Sequence, residues 1–315
     1  MKTKPLQVAI SVLLLVGFFY FIDLHEIFSV ISDSNKWSFF LACIFSLCGN
    51  VACAFRWTKL LNFESKMKFW EAIKVYFESI SFTTVVPVGM LGSDYYRSIR
   101  LSSRKPSGKF TSKLKASKEV VLSVVADRVH GFWALCLLAL ITIFYSLVIN
   151  NSTLPVDKLH LNQNTFVGFY SLFLFFVVVV PFLSSKIKLL FSKSTIKLST
   201  VIQLMTRGKK RITIFASVLS QAFFAISFFL CLSATNVDIS IYQCLIIVPI
   251  IFLFAAMPFS LAGFGPREYG AAIVLSFLGY SLENSVASSI LFGLTTTVQG
   301  IGFLLINLIF SYKDR

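Results

Sequence analysis

The chain has 315 residues, 56% apolar and only 14% charged, with 35 Phe and a mean hydropathy of +0.80, a balance that excludes a soluble domain and describes an all-α polytopic membrane protein. The net charge of +15 does not indicate nucleic acid, because the Lys and Arg residues lie in loops beside apolar runs, where cytoplasmic loops concentrate them. The six cysteines show no CxxC spacing and the three histidines no ligand spacing, so neither a metal nor a cofactor is expected.

Lys2 and Lys4 place the N-terminus inside. A first helix near 6–24 runs on through Phe18, Phe19, Tyr20 and Phe21 with no small-residue cleavage site, so it is read as retained. It leads to an external loop holding Asp23, Glu26, Asp33 and Lys36. A second helix near 37–61 returns toward cytoplasmic Lys59, Lys66, Lys68 and Lys74. The next apolar piece, 75–92, is followed by Arg97, Arg100, Arg104 and Lys105, so both its flanks are basic. It reads as a re-entrant hairpin that turns at Pro87, Gly89 and Gly92.

From 119 a long helix runs outward to Asn150, and a helix near 165–183 returns to the segment 186–211, which holds eight Lys and Arg residues and suits anionic headgroups of the inner leaflet. A helix near 212–234 leads out to Asp238. The run 241–257 then breaks at Pro258, Gly263 and Gly265 and resumes as a short arm, 267–280. A last helix near 284–310 ends at Lys313 and Arg315, inside. The count gives about six transmembrane helices plus two re-entrant hairpins in a single integral membrane domain, 1–315, with both termini on the cytoplasmic side of the plasma membrane. Full crossing by one or both hairpins, giving eight or more spans, is the alternative.

Pro87 and Pro258, Gly92 and Gly263, and Arg97 and Glu268 share one offset of 171 residues. Broken apolar helices at matching positions point to an inverted repeat, with halves of about 1–150 and 160–315, and to a binding site near the midplane. Seven charges sit within or beside the apolar segments: Arg56, Asp94, Arg97, Asp127, Arg128, Arg267 and Glu268. At about 2.5 to 3.5 kcal/mol each on insertion scales, all seven facing lipid would cost on the order of 20 kcal/mol, more than the net stability of a typical domain. They are therefore expected to face inward, to pair or to meet water.

Structural roles compete with binding roles at each position. Arg56 beside Trp57 could snorkel to the interface. Asp94 and Arg97, three residues apart, could pair on one helical face. Adjacent Asp127 and Arg128 point about 100° apart and need other partners; a clamp of Asp127 with Arg97 or Arg267 is one option. Arg267 and Glu268 begin a helix after a Gly-rich break, where free N–H groups attract an anion. Four positive and three negative side chains around flexible glycines suit a phosphate ester. There is no Ser-His-acid grouping, HExxH, P-loop or dinucleotide fingerprint.

These same residues, Arg56-Trp57, Pro87 to Arg97, Asp127-Arg128 and the stretch Pro258 to Glu268, resemble the transmembrane region of the lysyl-phosphatidylglycerol synthase and flippase family over nearly the whole chain. Ser93 and Pro266 depart from residues common there. The resemblance implies movement of a phospholipid, such as an aminoacylated or glycosylated one, between leaflets of the cytoplasmic membrane. In a translocator of an anionic headgroup, Arg97 and Arg267 are expected to hold the phosphate, with Arg56 or Arg128 as further candidates, and Asp94, Asp127 and Glu268 to orient those arginines or to contact an amino group on the headgroup. Full-length synthases carry a soluble aminoacyl-transferase domain, and a sequence that stops at Arg315 is not expected to make the lipid itself. The competing readings are a non-transporting accessory protein that works with envelope-biosynthesis enzymes and a membrane-embedded transferase.

Overall fold

A computed structural model describes residues 24–61, 69–86, 89–102, 113–145, 210–255 and 265–313, with most of 168–178. The expected first helix (apart from Leu24), Pro87, Pro258, Gly263, most of the helix near 165–183 and nearly all of the basic segment 186–211 lie outside the described residues. Among the described residues every regular element is an α-helix.

Helix α1 (Leu24–Asp33) occupies a stretch expected to be loop. Leu24, Ile27, Phe28 and Ile31 recur at three- and four-residue intervals, the period of an amphipathic helix. Ile27 is buried against Ala272, Val286 and Ala287, whereas Phe28 is exposed. Asn35 then starts α2 (Lys36–Leu61), its side-chain oxygen accepting the N–H groups of Trp37 and Ser38 at 3.0 and 3.1 Å, as an N-cap does. At 26 residues, α2 is about 39 Å long, ample for a hydrocarbon core of about 30 Å.

Two shorter helices follow, α3 (Phe69–Val85) and α4 (Gly89–Ser102), and pack on each other. The break between them places Gly89 at the first position of α4 and leaves Gly92 buried within it. Helix α5 (Lys113–Tyr145) and α6 (Lys210–Ala234) are long. A second short pair, α7 (Ile241–Ala255) and α8 (Pro266–Phe277), precedes the long α9 (Leu282–Lys313). Among the described residues, four helical stretches are long and apolar enough to cross a membrane: Lys36–Leu61, Val120–Tyr145, Arg211–Ala234 and Leu282–Ile309.

Contacts along the helices fix their relative directions. Ala234 O accepts the Asn35 N–H, the Ser227 hydroxyl bonds Ala42 O and Ser220 meets Arg56, so α2 and α6 are antiparallel. Trp57 with Ser123 and Arg56 with Asp127 make α5 antiparallel to α2 as well. Ser46 with Thr295 and Asn50 with Gln299 share one separation of 249 residues, which makes α2 and α9 parallel. A core at the centre gathers Phe228, Phe252 and Phe292, with ring centroids 5.3 to 5.9 Å apart.

Glycines set the closest helix contacts, as small residues do between membrane helices. A β-carbon on Gly49 would stand 2.8 Å from the Phe224 ring, and one on Gly270 would stand 2.8 Å from Phe254. The Phe254 contact involves the start of that side chain, which has little room to yield, so Gly270→Ala should push α7 and α8 apart. The expected cost is about 1–3 kcal/mol, read as a lower thermal midpoint in detergent. An unchanged midpoint would show that the two helices tolerate separation.

Candidate functional site

Five of the seven charged residues form one continuous ionic chain. The Arg56 Nε donates to Asp127 Oδ1 at 2.6 Å, while its Nη1 and Nη2 reach Ser220 Oγ at 3.3 Å and Cys53 Sγ at 3.5 Å. The other oxygen of Asp127 accepts Arg97 Nη1 at 3.3 Å. Arg97 Nη2 bonds Asp94 Oδ1 at 2.6 Å, and Asp94 in turn accepts a fork from Arg128, whose Nε and Nη2 lie 3.1 and 3.0 Å from its two oxygens. The order is Arg56, Asp127, Arg97, Asp94, Arg128.

Local helix geometry explains why this chain forms. Asp94 and Arg97 are one turn apart on α4 and share a face. Asp127 and Arg128 point in different directions from α5, so one turns to α2 and α4 and the other to Asp94 and, at 3.5 Å, the Ser93 hydroxyl, both on α4. Arg97 is further confined, its guanidinium lying 5.0 Å from the Trp57 ring and 4.9 Å from the Tyr76 ring, a favourable cation–π arrangement. Its Nε has no hydrogen-bond partner among the described residues.

Exposure divides these side chains into two kinds. Arg56, Arg97 and Asp127 are 3%, 2% and 4% exposed, whereas Arg128 is 39% exposed. Three guanidinium groups face two carboxylates, so the chain carries one surplus positive charge, and the open member is Arg128.

Arg267 and Glu268 form a second group. Arg267 Nη2 and Nε lie 2.6 and 3.1 Å from Glu268 Oε1, the Ser289 hydroxyl lies 3.1 Å from that Nε and 3.2 Å from the same oxygen, and the guanidinium sits 5.4 Å from the Phe292 ring. The remaining Glu268 oxygen accepts the Gly265 N–H at 2.6 Å. Gly265 has φ 115°, a conformation that suits glycine, and Pro266 follows at the first helical position, where its fixed φ is favourable. The anion expected at the start of α8 is therefore the chain's own carboxylate, which also neutralises Arg267.

The two groups lie at different depths. Arg56 reaches Cys53 on α2, while Arg267 covers Phe292, whose ring packs on Phe228 beside Ser227, the residue bonded to Ala42 O. Ala42 and Cys53 are eleven residues apart on α2, roughly 16 Å at 1.5 Å per residue.

The geometry amends several expectations. The seven charges gather in two groups rather than one pocket, because the two short helix pairs start from different depths. Arg56 does not snorkel; it is buried and paired. Of the two clamps open to Asp127, the one with Arg97 forms and the one with Arg267 does not, and Arg56 is its second partner. Tyr76 and Ser289 escaped notice, and Trp57, expected as an interfacial anchor for Arg56, lies instead under Arg97, since an aromatic residue holding an arginine has the same composition as one facing lipid. The capping role of Glu268 had a readable signal in its place three residues after Gly265.

The family model described as lysylphosphatidylglycerol synthase TM region matches residues 6–302, nearly the whole chain. The chain belongs to that family. Comparison with curated proteins gave no match. Membership, together with four helical stretches able to cross a bilayer, makes this an integral membrane protein of a family tied to lipid handling.

Proposed function

We propose that the protein is a flippase-like translocator that binds a phospholipid by its headgroup phosphate and moves it between leaflets of the cytoplasmic membrane. The observation that carries this reading is the ionic chain ending on Arg128: an arginine with one surplus charge behind it and an accessible face, inside a membrane domain of a lipid-handling family. A guanidinium fork is suited to a phosphodiester, and Asp94 beside it suits the amino group of an aminoacylated headgroup. In this reading Arg128 contacts the lipid, Arg56, Arg97 and Asp127 hold the geometry, and Arg267 with Glu268 forms the matching station in the other half.

An inverted repeat with two re-entrant hairpins is part of the proposal. Exchanging α2 with α6, α3 with α7, α4 with α8 and α5 with α9 turns nearly every packed pair into another packed pair: α3 on α9 becomes α7 on α5, and α4 on α5 becomes α8 on α9. The exchanged helices α2 and α6 are antiparallel, as inversion requires. Charged groups at two depths follow naturally from the same symmetry. The basic loops favour cytoplasmic termini.

The accessory reading, in which the protein assists envelope-biosynthesis enzymes without transporting, is favoured by the full neutralisation of Arg56 and Arg97. Proteoliposomes separate the two readings. With the purified chain and head-labelled anionic or aminoacylated phospholipid, leaflet exchange should run well above that of protein-free vesicles. Rates equal to those of protein-free vesicles for both headgroups would leave the accessory role.

A further inference from the structure

A polar seam runs between the two ionic groups along the parallel helices α2 and α9. The Ser46 hydroxyl accepts from Thr295 Oγ1 and from Gln299 Nε2, both at 2.9 Å, and Asn50 Nδ2 donates to Gln299 Oε1 at 2.8 Å. Thr295 and Ser46 are fully buried and Asn50 nearly so. Four polar side chains at one contact between membrane helices can be ordinary interhelical glue. Their depth argues for more.

On α2 the sequence Ala42, Ser46, Asn50, Cys53 advances in steps of three or four residues, about 5–6 Å each. Ala42 marks the level of Arg267 and Glu268, and Cys53 that of Arg56 and Asp127. The seam therefore places hydrogen-bonding groups, Ser46 and Asn50 with Thr295 and Gln299, in the interval between the two charged stations. On the outer side of the same two helices, Leu47, Val51 and Val298, each the immediate neighbour of a seam residue, are exposed apolar residues. The opposite side of α2 is closed instead by the close fit of Gly49 on Phe224.

We propose that α2 and α9 part along this seam, and that Ser46, Asn50, Thr295 and Gln299 then line the route by which a phospholipid headgroup passes between the stations while its acyl chains stay in the lipid. The seam opens because its contacts are exchangeable hydrogen bonds that water or a headgroup can replace. The identity of the passenger rests on the translocation reading; the opening of the seam does not.

Two measurements test it. Replacing both partners together, Asn50→Leu with Gln299→Met, keeps volume and leaves neither amide unpaired, so the thermal midpoint should hold or rise while lipid exchange falls at least tenfold. Unchanged exchange would overturn the route. Independently of transport, two single-cysteine variants of the full chain are compared in vesicles, one carrying only Thr295→Cys and one keeping only native Cys136, which is buried in an apolar cluster. A membrane-impermeant thiol reagent should label position 295 and spare Cys136. If both stay unlabelled, or both label alike, the seam does not open, whatever the exchange assay gives; labelling at 295 alone with no exchange by the unaltered chain would keep the opening and remove the lipid reading.

Discussion

Asp127→Ala is expected to destabilise the protein by about 3–5 kcal/mol, the usual cost of breaking a buried ion pair by removing one partner. The carboxylate binds Arg56 with one oxygen and Arg97 with the other, and all three side chains are at most 4% exposed. Among the described residues, its loss leaves Arg56 with Ser220 and Cys53 as the remaining hydrogen-bonding neighbours of its guanidinium and leaves Asp94 as the one carboxylate in the group facing three arginines. Arg97 keeps its bond to Asp94 at 2.6 Å, but Arg56, 3% exposed, cannot reach water without unpacking α2 from α5. The check is unfolding in detergent micelles by heat or denaturant. The double variant Arg56→Met with Asp127→Leu should recover a large part of the loss, because it removes both charges together; a double variant no better than Asp127→Ala would mean that packing, not charge, accounts for the damage.

Arg128→Gln should behave in the opposite way, sparing the fold and abolishing activity. Arg128 closes the ionic chain at its open end, and with 39% of the side chain exposed its removal leaves Asp94 still bonded to Arg97 at 2.6 Å. The loss of stability is expected to stay well below that of Asp127→Ala, because the pair is only partly buried and Asp94 keeps Arg97. A lost charge-assisted bond to phosphate is worth about 1.5–3 kcal/mol, which corresponds to a fall in lipid exchange of roughly 10- to 150-fold. Arg128→Lys restores the charge without the two-pronged geometry and should recover only part of the rate. Full exchange in Arg128→Gln would move the phosphate contact elsewhere.

The contrast between these two variants reflects how unevenly the sequence discloses its chemistry. The class of protein and the run of helices from α2 onward are legible because membrane burial imposes a length and an apolarity on each crossing. The pairing of Asp94 with Arg97 is legible from a three-residue spacing, and the divergence of Asp127 from Arg128 from the 100° turn between neighbours. That Asp127 meets Arg56 is not, since nothing local to either residue specifies which helix packs against α2. The bonds joining Ser46 and Asn50 to Thr295 and Gln299 are further out of reach: such side chains are common in membrane helices and span 249 residues here. Helix α1 was missed for a different reason, because charge counting treats Asp23 to Lys36 as loop and ignores the spacing of its apolar residues.

The two charged stations are electrically unequal: Arg267 is matched by a carboxylate that also secures its own helix end, whereas the group around Arg128 keeps one cation in excess. An anionic passenger would dwell longer at the second. On the translocation reading, and for a passive path, such an imbalance would set where cargo waits between trips, since detailed balance leaves the net flow to the lipid populations of the two leaflets.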